Sequence, residues 1–227
     1  MTGVLSRAID AALGVADYVP TPLAWRSWRA RRAGRSFDRR HGTDTQGHVD
    51  VAALGVDEAI AAHAVWYEPS SIPKAQCALR HLGVRHEEHD FLDVGSGKGL
   101  IPMLAARYPF RRVVGVEASR ELHEVAVANL RLYEASGRSR VPVTLLNTDV
   151  LAYRFRETNH VVYLYNPFDD QVLRDFVARL LTVPPSMNVV VAYVNPVHRG
   201  VIEETGAFTV RFDRGSLAIF HRRKARA

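Results

Sequence analysis

From His89 onward the hydrophobic positions change their period repeatedly. Short apolar runs rich in β-branched residues cover Phe91 to Val94, Arg112 to Val116, Val141 to Leu146, His160 to Tyr165 and Asn188 to Val194. Such runs predict strands buried on both faces. Helical spacing of apolar residues fills the gaps at about 99–107, 119–135 and 169–181. Strand and helix in strict alternation predict parallel strands joined by right-handed crossovers, a doubly wound α/β sheet. After a short helical stretch near 198–205, AFTVRF and SLAIFH flank Asp213-Arg214-Gly215, which predicts an antiparallel hairpin on one edge of a mostly parallel seven-stranded, Rossmann-like sheet.

Upstream the texture differs. Val4 to Ala16 carries an amphipathic helical pattern that Pro20 and Pro22 break, and Trp25 and Trp28 then lie one turn apart among arginines. Phe37 to Val51 is polar and punctuated by glycine, which predicts a loop. A second helical pattern spans about Asp57 to Val65, and Pro69 and Pro73 lead into a helix through Leu82 with Ser70 or Ser71 as its N-cap. The boundary expected from this change is a helical extension over residues 1–85, acting as a lid and as part of an acceptor pocket, before a core over residues 86–227.

Composition narrows the class. With 227 residues, 47% hydrophobic and 24% charged, the chain falls in the globular range. Its longest apolar run, Val189 to Val194, is far short of the roughly 20 residues a bilayer span needs. Asp10 and Asp17 interrupt the apolar N-terminal stretch, which therefore does not read as a secretory signal. Cys77 is the single cysteine, so no internal disulfide and no zinc site are expected, and the expected setting is the reducing cytoplasm. The net charge is +6, and all but Lys74, Lys98 and Lys224 of the 30 basic residues are arginine. The Trp- and Arg-rich arm admits nucleic-acid binding. A lid with Trp inward and Arg outward is the preferred reading, because no RNA-binding module accompanies it.

In an open parallel sheet, ligands bind beyond the carboxyl ends of the strands. The first strand ends in Asp93-Val94-Gly95-Ser96-Gly97-Lys98-Gly99, a turn whose glycines let backbone approach a ligand at a helix N-terminus. A phosphate-cradling P-loop fails, because Leu92 and Gly99 occupy its required Gly and Ser/Thr positions. The dinucleotide fingerprint lacks its third glycine at Leu100. The second strand ends at Glu117-Ala118, where a carboxylate can accept two hydroxyls. The third leads to Asp149-Val150, and the fourth ends in Asn166-Pro167-Phe168.

This order of motifs over residues 89–222 resembles the class I S-adenosylmethionine-dependent methyltransferases. The resemblance implies S-adenosylmethionine as cofactor, with the turn Gly95, Ser96, Gly97 and Gly99 under its methionine part and Asp93 at its amino end. It likewise implies Glu117 and Ala118 at the ribose, Asp149 and Val150 at the adenine, and Asn166 beside the methyl group. FDRRHGTDTQG and Trp66-Tyr67-Glu68-Pro69-Ser70 are similar to segments that precede the Gly-rich turn in some bacterial members, which implies Tyr67 as a substrate contact together with Phe168. Asn166, Pro167 and Phe168 match the family's amino-methylating motif with one proline missing, so a nitrogen acceptor is preferred. An oxygen acceptor would need a base, for which His63, His160 and His198 are the candidates. A methyltransferase-like binding protein without catalysis is the remaining alternative. The acceptor is expected to be a small molecule or a protein side chain. Sequence says nothing of oligomeric state.

Overall fold

The computed structural model describes residues 22–64 and 66–224, with side chains from Trp28 onward. The helix expected over Val4 to Ala16 and the side chain of Trp25 lie outside the described residues. Seven helices are described: α1 Pro22–His41, α2 Glu58–Ala61, α3 Ile72–Arg80, α4 Leu100–Ala105, α5 Arg120–Ala135, α6 Asp170–Leu180 and α7 Arg199–Glu204. The strands are β1 His89–Val94, β2 Arg112–Glu117, β3 Val143–Asn147, β4 Asn159–Tyr165, β5 Val189–Val194, β6 Phe208–Asp213 and β7 Leu217–Arg222.

They form one sheet in the order β3-β2-β1-β4-β5-β7-β6, with β7 antiparallel to both β5 and β6. The expected mixed architecture is therefore present, hairpin included. β5 lies inside the sheet and is buried along its whole length, which is why its sequence, VVVAYV, is a continuous apolar run rather than an alternation. Period 2 along the strands sorts the core into two layers. Phe91, Val113, Val161 and Val190 face one layer with Leu79 of α3, Met103 of α4 and Tyr133 of α5. Leu92, Val114, Val162 and Val191 face the other with Leu173 and Phe176 of α6 and Ile202 of α7. Chain order reverses between β1 and β4, so the parallel ends diverge there and open a crevice.

Three expectations upstream are corrected. Phe37 to His41 belongs to α1 rather than to a loop. Its ring positions repeat one helical turn apart, and Phe37 and His41 both pack on Tyr133, with ring centroids 5.8 and 5.0 Å away. That apolar contact outweighs the local polarity from which a loop was expected. Trp28 is 41% exposed with the Arg32 guanidinium 5.2 Å over its ring, so it is not the buried residue of a lid. The α2 helix is a single short turn, shorter than the pattern over Asp57 to Val65 predicted. Among the described residues no helix is long and apolar enough to cross a membrane.

Candidate functional site

The crevice at the β1/β4 divergence is a cavity of about 420 Å³. Its floor is the row of strand ends, namely Asp93 to Ser96, Glu117 and Ala118, Thr148 to Val150, Tyr165 to Phe168, and Asn195. Its outer wall is the stretch from Leu54 to Ser70, which α1 precedes without contributing a wall residue of its own. Of the sequence-expected site residues, Asp93, Gly95, Ser96, Glu117, Ala118, Asp149, Val150, Asn166, Pro167, Phe168 and Tyr67 all line this cavity. Gly97 and Gly99 stand behind it.

The Gly-rich turn explains that division. The Gly95 and Ser96 amides both donate to the Val116 carbonyl at 2.9 Å, which ties the turn to the end of β2. Gly95 has φ +70° and faces Pro167, where an added Cβ would stand 3.0 Å from the proline Cβ. Gly97 has φ +49°, and a Cβ there would strike the Tyr67 ring. Its amide donates to Glu117 Oε2 at 2.7 Å, while the Ser119 amide donates to Oε1 at 2.9 Å. Each Glu117 oxygen is thus fixed by one backbone donor and keeps a second lone pair for a ligand. Burial pushes the Glu117 carboxyl up, against the lowering effect of the Ser119, Gly97 and Ala118 amides.

Asp93 is the electrostatic oddity of the site. It is 3% exposed, lines the cavity, and accepts no hydrogen bond among the described residues. Burial, and then the charge of Glu117, hold its carboxyl well above the usual carboxylate range. A buried carboxyl without a donor is costly unless a cation or donor completes it. Asp149 accepts the Leu151 amide at 2.9 Å and so caps a short turn while lining the cavity. Asn166 has φ +42° and its Oδ1 accepts the Tyr193 hydroxyl at 3.4 Å. Asn195, at the end of β5, repeats the left-handed backbone with φ +51°.

The upstream block FDRRHGTDTQG is a folded strap behind the turn. Asp38 Oδ1 accepts the hydroxyls of Thr43 and Thr45, both at 2.8 Å. The strap then takes hydrogen bonds from the site: the Tyr67 hydroxyl donates to the Thr45 carbonyl and Lys98 Nζ to the Gln46 carbonyl, at 2.8 and 2.9 Å. Lys98 also pairs with Asp44 at 2.9 Å and is largely buried, so its charge serves the strap. Buried Asn129 of α5 links the two sides, donating to the Asp44 and Lys98 carbonyls and accepting the Asp44 amide. The spacing of Asp38, Thr43 and Thr45 was the available signal for this device. The role of Asn129, 85 residues from Asp44, had none.

The three histidines separate cleanly. His160 is buried at the start of β4 with Nε2 on the Arg156 carbonyl, outside the cavity. His198 occupies the N-cap position of α7 without a side-chain cap bond and lines no wall of the cavity. His63 lines the cavity, with Nδ1 2.6 Å from Asp169 Oδ2. Asp169, the residue after Phe168, was not singled out by sequence reasoning.

No family model matches the chain, and no curated protein matches it. Solved structures do. The magnesium protoporphyrin IX methyltransferase of Synechocystis PCC 6803, solved with bound S-adenosylmethionine, is 11% identical over 66% of this chain and 79% of its own, at a TM-score of 0.52. The Escherichia coli protein yhhF, assigned as a methyltransferase, is 18% identical over 70% of this chain and 88% of its own, at 0.52. A precorrin 8W decarboxylase of Methanobacterium thermoautotrophicum is 15% identical over 69% and 92%, at 0.51. The chain shares the Rossmann-like fold of these structures, and the decarboxylase among them shows that this fold alone does not fix the reaction.

Proposed function

We propose that the protein is an S-adenosylmethionine-dependent methyltransferase acting on a small acceptor held between the strand ends and the Leu54–Ser70 wall. The observation that carries this reading is the pair of carboxylates, buried Asp93 and half-buried Glu117, that line the cavity at the ends of β1 and β2. Asp93 lacks a hydrogen-bond donor and suits an ammonium, and Glu117 is fixed by the Gly97 and Ser119 amides with lone pairs left for two ribose hydroxyls. These are complementary to the two ends of one molecule that carries an amino acid and a nucleoside. That Ser96, Ala118, Asp149 and Val150 line the same cavity supports the reading.

When bound, the cofactor supplies a methyl group already activated by a sulfonium, so the chain's own task is alignment and exclusion of water. Pro167 and Phe168 close one side, with Phe168 buried against Phe176 at 6.2 Å. The Tyr67 ring covers Gly97 from the other side, its hydroxyl held by the strap. Asn166 lines the cavity beside Pro167 and Phe168, its Oδ1 accepting the Tyr193 hydroxyl.

Incubation with methyl-labelled S-adenosylmethionine and a small-metabolite fraction tests the reading. A labelled small-molecule product that Glu117→Ala abolishes is expected, and cofactor binding without any labelled product would favour the non-catalytic alternative.

A further inference from the structure

We infer that His63 is the general base of this site, that Asp169 positions it, and that the acceptor is a small apolar molecule attacking through a hydroxyl of the phenol type. The inference rests on the proposed methyl transfer and goes beyond it by naming the group that removes a proton and the class of molecule that carries it.

The argument begins with local structure. His63 follows the α2 turn, and Phe168 pairs with Ala64 in an isolated antiparallel bridge. The Asp169 amide donates to the His63 carbonyl at 3.2 Å, so two backbone segments a hundred residues apart are clamped together beside the cavity. Asp169 is itself fixed as the N-cap of α6, its Oδ1 accepting the Val172 amide at 3.0 Å. That leaves Oδ2 for His63 Nδ1 at 2.6 Å. A carboxylate on Nδ1 sets the tautomer, so that the other ring nitrogen is the acceptor. Nε2 of His63 makes no hydrogen bond among the described residues. Burial alone would raise the Asp169 carboxyl, but the hydrogen bonds from His63 and from the Val172 and Gln171 amides together hold it below its ordinary range.

The chemistry of the surroundings selects the acceptor. Leu54, Val56, Ile60, Ala64, Trp66 and Phe168 line the same cavity as His63, and this apolar surface suits an aromatic ring. A hydroxyl is a poor nucleophile until its proton is removed. In the proposed step the acceptor oxygen forms its bond to the methyl carbon as the carbon–sulfur bond breaks, with that pair left on sulfur, and the hydroxyl proton goes to Nε2 of His63.

The test uses the intact chain, phenol and para-nitrophenol as probes, and His63→Gln and Asp169→Asn as variants. S-adenosylmethionine binding and thermal melting of His63→Gln are expected to match wild type within about twofold and a degree or two. At neutral pH the variant should methylate phenol roughly 100-fold more slowly than wild type, within the range of general-base contributions. The same variant should lose less than about threefold with para-nitrophenol, which ionises in water and bypasses the base. Asp169→Asn should slow methylation of phenol roughly 10-fold while leaving para-nitrophenol within about threefold of wild type, the split expected of a residue that acts by positioning the base. Equal losses on both phenols, no loss on either, or no methylation of either by a wild type that binds the cofactor would each overturn the inference. Failure of wild type to bind the cofactor would instead overturn the methyltransferase reading.

Discussion

Replacing Asp93 by Asn separates what this carboxylate does for the ligand from what it does to the fold. The side chain is 3% exposed, without a hydrogen-bond donor, and held well above the usual carboxylate range by burial and then by Glu117. In the unliganded chain its charge is a cost. Asn keeps the shape and removes the charge but stays unpartnered, so the gain in stability is expected to be on the order of 1 kcal/mol. For a chain of this size that is a rise of about 2 to 4 °C in Tm. The sign follows from linkage. Below the unfolded carboxylate value, about 4, the carboxyl is protonated in both states and contributes no difference. As pH rises through that value toward the raised folded one, wild type loses stability that the Asp93→Asn variant does not lose, so the gap opens with pH and is largest above the folded value. Ligand binding moves the opposite way. Loss of a charge-assisted contact to an ammonium costs about 1.5 to 3 kcal/mol, or roughly 10- to 150-fold in Kd. Calorimetric titration and thermal melts at several pH values read both effects. A variant that is less stable than wild type at neutral pH, or that binds the cofactor as tightly, would refute the reasoning.

Other residues give independent checks. Glu117→Ala should weaken S-adenosylmethionine binding by about 1.5 to 3 kcal/mol in the same titration, and NAD should not bind to wild type. Asn129→Ala strands the Asp44 amide and two carbonyls that its side chain now satisfies, so denaturant unfolding should show a loss of roughly 2 to 3 kcal/mol. Deleting residues 1–36 removes most of α1 from its seat on α3 and should lower Tm measurably. Intact protein should be poorly retained on RNA at physiological salt, and retention that falls steeply as salt rises would mark the arginines of α1 as a phosphate-binding face.

The core was legible because its signals are local and repeated. Val189 to Val194 can satisfy its hydrophobicity only as a buried strand, and Asp213-Arg214-Gly215 between two apolar runs is a hairpin on its face. The strand ends were legible for the same reason, since each chemical residue sits immediately after a run whose end is visible. What escaped depended on contacts between distant segments. Phe37 to His41 looks polar in isolation and becomes helical because Tyr133 of α5 receives its rings. Lys98 sits in a turn that suggested a ligand, and its partner Asp44 lies 54 residues away. His63 could be named among three histidines but not ranked, because what distinguishes it is Asp169, 106 residues later, whose sequence context reads only as a helix cap.

The central claim is that the cavity between the ends of β1 and β4 binds S-adenosylmethionine through Asp93 and Glu117. Calorimetric titration of the wild-type chain with S-adenosylhomocysteine, repeated with Glu117→Ala, tests it most directly. The account predicts one molecule bound per chain and affinity lower in the variant by at least about tenfold, the equivalent of 1.4 kcal/mol. No binding heat with wild type, or the same isotherm with the variant, would contradict it.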